Sequence, residues 1–397
     1  MKKGCRQYFI IIFMVTILIS SCAFAPKHNP LPNDFKGMAR LPGMPENARI
    51  WGDEPPPWID MWHNESREDL QAEFGGVMGR EHNYLAISGG GANGAFGAGL
   101  LVGWSATGTR PEFTIVTGIS TGALLAPFAF LGPDYDVQLE EVYTMYSTDD
   151  LIKKRSLLAA VTGDSVVSTE PLQALIARYF NSQVIEAIAT EGRKGRRLFI
   201  GTTDLEADRP VIWNITQIAA SGNPNSTELI HKVILASASI PVAFPPVLIE
   251  VEANGLRYDE MHVDGGTSTQ VFLYPVGIKW DVITKKLDVK RTPNVFLIRN
   301  AVLEPERKAL TLKTYQIAGR AISSLIRTQG IGDMYRLYFG AQRDGLDYHL
   351  AYIPSDFNET PKEIFDSEYM RKLFDFGYRM AKAGYPWHKA PQGFESP

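Results

Sequence analysis

From Asn83 onward, short apolar runs alternate with longer stretches in which apolar positions recur every three to four residues. Tyr84-Leu85-Ala86-Ile87 is a short apolar run followed by glycines, the pattern of a strand buried on both faces. Residues 95–105, rich in small side chains, predict a helix, and 113–117 a second strand closed by Gly118. A further helix is predicted at 121–131. Pro127 should kink it, because proline removes an N–H and clashes with the carbonyl four residues back. Helices are then expected at 136–147, 170–180, 229–238 and 363–383. Strands are expected at 197–203, 211–215, 247–252, 261–264, 294–299 and 348–353. Residues 308–327 predict a long helix with Leu310, Leu312, Tyr315, Ala318, Ile322 and Leu325 toward one side, and that side is expected to face the core. Strands alternating with helices predict a layered α/β domain, without internal repeats or low-complexity tracts.

The first 80 residues break this alternation. Lys2, Lys3 and Arg6 precede an apolar run at 9–19, which suits a signal-peptide core and is too short to span a bilayer. The run ends in Ile19-Ser20-Ser21-Cys22, which resembles a bacterial lipobox. That resemblance implies that residues 1–21 are removed and that Cys22 becomes the lipidated first residue, with palmitate-like chains holding the protein to a membrane. Ala23 follows rather than aspartate, which by the common sorting rule for such lipoproteins favours the outer membrane of the cell envelope. Prolines at 26, 30, 32, 42, 45 and 55–57 make 22–80 an extended approach segment, with room for a short helix at 58–74. It can serve as a spacer off the membrane or as a strap on the domain surface, and Trp51, Trp58 and Trp62 speak for the strap. Residues 81–397 are then expected to form one domain with a helical C-terminal extension.

Composition narrows the function classes. With 45% hydrophobic and 21% charged residues, the 397-residue chain is globular rather than disordered. A net charge of −4 argues against nucleic acid as a partner. Two cysteines cannot build a disulfide framework or a four-thiolate zinc site. Loss of Lys2, Lys3 and Arg6 with the leader would take −4 to −7 and leave no free thiol for chemistry.

Three motifs carry candidate chemistry. Gly89-Gly90-Gly91-Ala92-Asn93-Gly94 lies between a predicted strand and a predicted helix, where bare N–H groups and a helix N-terminus make an anion site. Alone it fits a dinucleotide phosphate as well as the oxyanion of acyl transfer. Gly118-Ile119-Ser120-Thr121-Gly122 fits the G-x-S-x-G nucleophile elbow and sits between strand and helix as that motif requires. A dinucleotide fold would instead want a carboxylate at the end of this strand. Met261-His262-Val263-Asp264 reads as a strand that breaks at Gly265-Gly266. Asp264 there can face a cleft, or simply cap a turn. None of the seven histidines sits in an obvious catalytic-loop signature, though His262 shares a strand face with Asp264.

These motifs, in this order and with Ser237-Ala238-Ser239-Ile240-Pro241-Val242-Ala243-Phe244-Pro245-Pro246 ahead of Asp264, resemble the patatin-like phospholipase family over about residues 84–266. The resemblance implies a three-layer α/β/α fold around a central, mostly parallel sheet. It implies Ser120 as nucleophile and Asp264 as general base, a dyad without histidine and without metal or cofactor. Gly89, Gly90, Gly91 and Gly94 would shape the oxyanion loop, Gly118 and Gly122 the elbow, and Gly265 and Gly266 the aspartate motif. Many relatives carry Arg or Lys where this chain has Asn93, and Pro127 is also unusual. The function implied is a membrane-anchored serine hydrolase of lipid or phospholipid esters. The alternative is a catalytically silent lipoprotein that binds a ligand or partner through the glycine loop. The basic-apolar stretch Lys153-Lys154-Arg155 followed by 157–161 reads as a packed amphipathic helix or a membrane contact. Phe244-Pro245-Pro246 reads as acyl-pocket lining or as a brace for the next strand. Head-group preference and oligomeric state are not legible.

Overall fold

The computed structural model describes residues 28–394, except 58, 155–166, 242, 276, 306 and 308. The leader, Cys22 and the apolar part of the 153–161 stretch lie outside the described residues. Nine strands form one sheet: β1 (Arg49–Trp51), β2 (Asn83–Ile87), β3 (Ile115–Ile119), β4 (Arg197–Asp204), β5 (Arg209–Asn214), β6 (Val247–Ala253), β7 (Leu256–Asp264), β8 (Asn294–Val302) and β9 (Asp347–Ile353). Along the main path the order is β1-β5-β4-β3-β2-β8-β9, with β7 paired to β4 and β6 to β7. The five strands from β4 to β9 on this path run parallel. The remaining pairings are antiparallel.

Period two along each parallel strand sends alternate side chains to opposite layers. Leu85 and Ile87 join one core with Val116, Leu198 and Ile298. Tyr84 and Ala86 join another with Ile115, Val295 and Leu297. Helices cover both faces, which explains why these strands read as unbroken apolar runs. The first face receives α1 (Gly94–Ser105), α2 (Thr121–Leu131) and the C-terminal α3 (Ser367–Lys382). Small residues let α1 and α3 touch backbone to backbone, since a Cβ on Gly99 or Gly103 would overlap the carbonyl of Phe374 or Tyr378. The second face receives the helix Trp280–Lys286 and the buried half of the helix Thr314–Asp344.

Most predicted elements recur with edges shifted by a few residues. Helix α2 continues through Pro127 as one element. The helices Ser182–Arg193 and Trp280–Lys286, strand β1 and the first half of β7 had no counterpart in the sequence reading. Residues 58–74 hold two helices, Ile59–Asn64 and Arg67–Phe74.

The long helix corrects an expectation. It spans Thr314–Asp344 rather than 308–327, and its first half does not face the core. Leu310, Leu312, Ile322 and Leu325 are all exposed, Leu312 at 98% and Leu325 at 70%. The side chains of Tyr315 and Ala318 lie outside those described. Burial begins near Gly330, and Met334 and Ala341 pack into the second core. The apolar spacing belongs to a real helix, but helical periodicity does not say what covers the apolar side.

The approach segment lies on the domain from residue 28 onward. Arg40 exchanges backbone hydrogen bonds with Glu252 (2.9 and 2.8 Å), and β1 pairs with β5 at the sheet edge. Arg49 from β1 grips Glu260 through both guanidinium nitrogens, and Arg209 packs over the Trp51 ring.

Candidate active site

Strand β3 ends at Ile119, and the chain reverses into α2 within one residue, Ser120. Ser120 has φ 55° and ψ −121°, a backbone state that side chains with a Cβ rarely adopt. The flanking glycines permit it. A Cβ on Gly118 would overlap the Gly122 carbonyl, and one on Gly122 would overlap the carbonyl of Ile87. Ser120 is thus held at the N-terminus of α2, whose first N–H groups lack partners within the helix and favour negative charge.

Asp264 ends β7 beside β4, in register with Thr202. Its carboxyl lies within the influence of the Ser120 hydroxyl and accepts the Gly266 N–H at 2.7 Å. Burial raises the Asp264 pKa to about 7, against the opposing pull of the Ser120 hydroxyl and the Gly266 N–H. The residues at either end of the predicted dyad are therefore brought together in the fold, 144 positions apart in sequence.

The segment before Asp264 wires the two together. Ser237 accepts the Ser120 N–H (2.9 Å) and donates to the Gly201 carbonyl (2.7 Å). The Ser239 carbonyl accepts the Asp264 N–H (2.9 Å). Phe244 is buried in the first core and braces the chain into β6.

The glycine loop lies beside Ser120. A Cβ on Gly89 would come within 3.1 Å of the Ser120 Cβ. Gly89 donates its N–H to the Gln270 carbonyl (3.2 Å), whereas Gly90 and Gly91 donate theirs to no other described residue. Gly91 has φ 56°, which turns the loop. Gly94 opens α1 tightly against Thr121. Asn93 accepts the Tyr369 hydroxyl (2.6 Å).

Residues the sequence reading passed over shape this loop from behind. Asn300 donates its side-chain N–H to the Ser88 carbonyl (3.0 Å), accepts the Gly97 N–H on its side-chain oxygen (3.0 Å), and donates its backbone N–H to the Ser88 hydroxyl oxygen (2.9 Å). The buried Arg299 guanidinium donates to the Gly89 carbonyl (3.3 Å) and lies against Gly330 of the long helix. Burial lowers Arg299 to about 10, so it remains cationic at neutral pH. Gln270 donates to the Gly266 carbonyl (2.6 Å) and to Gln329 (3.1 Å). A bulge in β8 between Arg299 and Val302 marks the place, but no sequence spacing announces it.

His262 does not serve Ser120. It is fully buried and bonded to Thr202 Oγ1 (3.0 Å) and Glu260 (3.3 Å). Asp204, Glu260 and His262 cluster closely enough to suggest metal ligands. Arg49 already neutralises Glu260, however, and Asp204 caps the N–H groups of Glu206 and Ala207 (2.9 and 3.1 Å). Burial would raise Glu260, but the Arg49 charge and the hydrogen bonds outweigh it and hold it near 2. The cluster reads as an internally satisfied network. Two cavities of about 350 and 360 Å³ lie on the long-helix side of the sheet. The first touches Ile119 and Gly265 but is lined by neither Ser120 nor Asp264.

Residues 85–276 match the family model of the patatin-like phospholipases. Among solved structures, the chain is similar to VipD from Legionella pneumophila at 13% identity and a TM-score of 0.41. That alignment covers 76% of this chain and 66% of the VipD chain, so less than two thirds of VipD is spanned. No curated protein matches the chain by sequence.

Proposed function

We propose that the protein is a serine acyl hydrolase that cleaves carboxylic esters of lipids or phospholipids. The observation that carries this is the placement of a buried Asp264 carboxyl beside Ser120, on a strained strand-to-helix turn, within the region that matches the patatin-like phospholipase model. Asp264 takes the Ser120 proton as Oγ attacks the ester carbonyl. An ordinary carboxylate is a poor base for a hydroxyl, and burial makes this one more basic. Negative charge developing on the carbonyl oxygen meets the N–H groups of Gly90 and Gly91 and the N-terminus of α2. The ester C–O bond breaks, the proton passes from Asp264 to the leaving alcohol, and an acyl-Ser120 remains. Water, giving its proton to Asp264, then releases the fatty acid and restores Ser120. The Arg299 charge behind the Gly89 peptide favours the oxyanion by orienting the loop.

A fluorophosphonate probe tests the reading, because it labels only an activated serine. Labelling at Ser120, together with fatty-acid release from a panel of defined lipids, is the expected result and also identifies the substrate. A folded protein that leaves Ser120 unlabelled points instead to a silent lipoprotein that binds through the glycine loop.

The same reading places the protein on a bacterial envelope membrane through lipidated Cys22, supported by the lipobox-like Ile19-Ser20-Ser21-Cys22. Cys22→Ala is expected to lose incorporation of labelled palmitate and to shift the protein out of the membrane fraction. Unchanged palmitate incorporation in that variant removes Cys22 as the anchor.

A further inference from the structure

Fifteen large apolar side chains are exposed among the described residues, and six of them fall between residues 310 and 326: Leu310, Leu312, Ile317, Ile322, Leu325 and Ile326. Every residue from 321 to 326 is exposed, so this part of the helix stands clear of the body on all sides. Ile322, Leu325 and Ile326 are spaced i, i+3, i+4 and form one stripe. Such a concentration marks an interaction surface rather than scattered surface residues.

Charge selects the occupant. From Leu310 to Gly332 the sequence contains Lys313, Arg320 and Arg327 and no aspartate or glutamate, in a chain whose net charge is −4. Arg320 and Arg327, seven residues apart, share a side of the helix away from the Ile322–Leu325 stripe, Arg327 also donating to the Leu303 carbonyl (2.6 Å), and Lys313 stands at the helix N-cap. A helix is roughly 10 Å across. That is close to the Debye length of about 8 Å at physiological ionic strength, so these charges still act on a surface that the stripe touches.

Position gives the contact a use. The exposed half leads directly into Gln329 and Gly330, which meet Gln270 and Arg299 beside the glycine loop. A second copy of the chain is a poorer occupant. The patch offers about half a dozen side chains, against roughly 20–30 residues a side in a stable protein interface. A lipid surface needs no such complementary area. No helix among the described residues is long and apolar enough to cross a membrane, so the contact would lie along the surface.

We propose that residues 310–327 form a docking surface that seats the domain on an anionic lipid bilayer with the glycine loop close to it. The purpose of this contact rests on the reading of Ser120 as an ester-cleaving nucleophile; its existence does not.

The test uses the full chain as Ser120→Ala, so that no lipid is consumed. Backbone hydrogen exchange is followed peptide by peptide with vesicles of phosphatidylglycerol and phosphatidylcholine, with pure phosphatidylcholine vesicles, and without vesicles. Segment resolution separates this contact from any hold exerted by the N-terminus. The expected result is that amides 317–326 exchange about tenfold more slowly or more on the anionic vesicles, and that added salt weakens the protection. Ile322→Glu with Leu325→Glu should remove it. In the Ser120 background, that double variant should keep its turnover of a soluble ester while losing at least about tenfold on vesicle-borne lipid. Exchange unaffected by vesicles overturns the proposal, as does equal protection on neutral vesicles. Protection without vesicles that grows with protein concentration also overturns it and assigns the face to a second copy. Protection in a protein whose Ser120 proves unreactive leaves the docking surface standing and removes only the hydrolase reading.

Discussion

Ser120→Ala is expected to lower turnover of a short-chain nitrophenyl ester by roughly a thousandfold or more, the scale on which loss of a nucleophile acts. The variant should remain folded, because Ser120 anchors the turn through its N–H to Ser237 and its carbonyl to the Ala123 N–H, and both are backbone groups. Alanine inherits the strained φ of 55° and relieves none of it. Glycine does relieve it. Ser120→Gly should therefore be equally inactive but more stable than Ser120→Ala, by on the order of 1–3 kcal/mol, the cost of holding a Cβ-bearing residue in such a state. Denaturant unfolding of the pair measures the difference. Full turnover by the alanine variant would remove Ser120 as nucleophile, and a glycine variant no more stable than alanine would mean that the turn stores no strain.

Asp264→Asn should abolish turnover and at the same time stabilise the protein at alkaline pH. In the folded chain the carboxyl titrates near pH 7, against 3.8 for the reference group. Between those values the folded protein holds a proton that the unfolded chain has released. The stability linked to this proton is fully present below about pH 4 and is lost as the pH rises through 7. Asparagine carries no charge to desolvate and keeps an oxygen for the Gly266 N–H. The variant should therefore gain on the parent across this window, by on the order of a few kcal/mol by pH 8. Activity runs the opposite way. The base is the ionised form, so kcat/KM of the parent should rise with pH through about 7 and then level off. A rate flat from pH 5 to 9 would contradict Asp264 as the base. Equal stability of parent and variant at pH 8 would contradict its burial cost.

The parts of the site legible in sequence are those where local backbone geometry restricts the residue. Ser120 could be read because a turn that tight needs Gly118 and Gly122, and Asp264 because its strand breaks at Gly265. Arg299, Asn300, Gln270 and Ser237 each reach a partner 36 to 212 positions away along the chain, for Gln270 the side chain of Gln329, and no periodicity encodes such a partner. The parallel strands were legible because burial on both faces leaves unbroken apolar runs. The edge strand Arg49–Trp51 was not, because three residues among prolines carry too little pattern. The long helix shows the limit from the other side: its apolar spacing was visible, but not whether protein or something else would meet it.

The support of Ser88 and Gly89 by Asn300 and Arg299 has a consequence for timing during synthesis. The reacting serine is made early, its partner carboxylate 144 residues later, and the backing of the glycine loop later still. A chain interrupted before residue 299 therefore carries Ser120, Asp264 and the Gln270 contact to Gly89, but lacks the Arg299 and Asn300 contacts that back the loop. On the hydrolase reading, the fold keeps itself harmless until it is nearly complete, so a cell making a lipid-cleaving protein would be spared its partly built copies without a separate inhibitor.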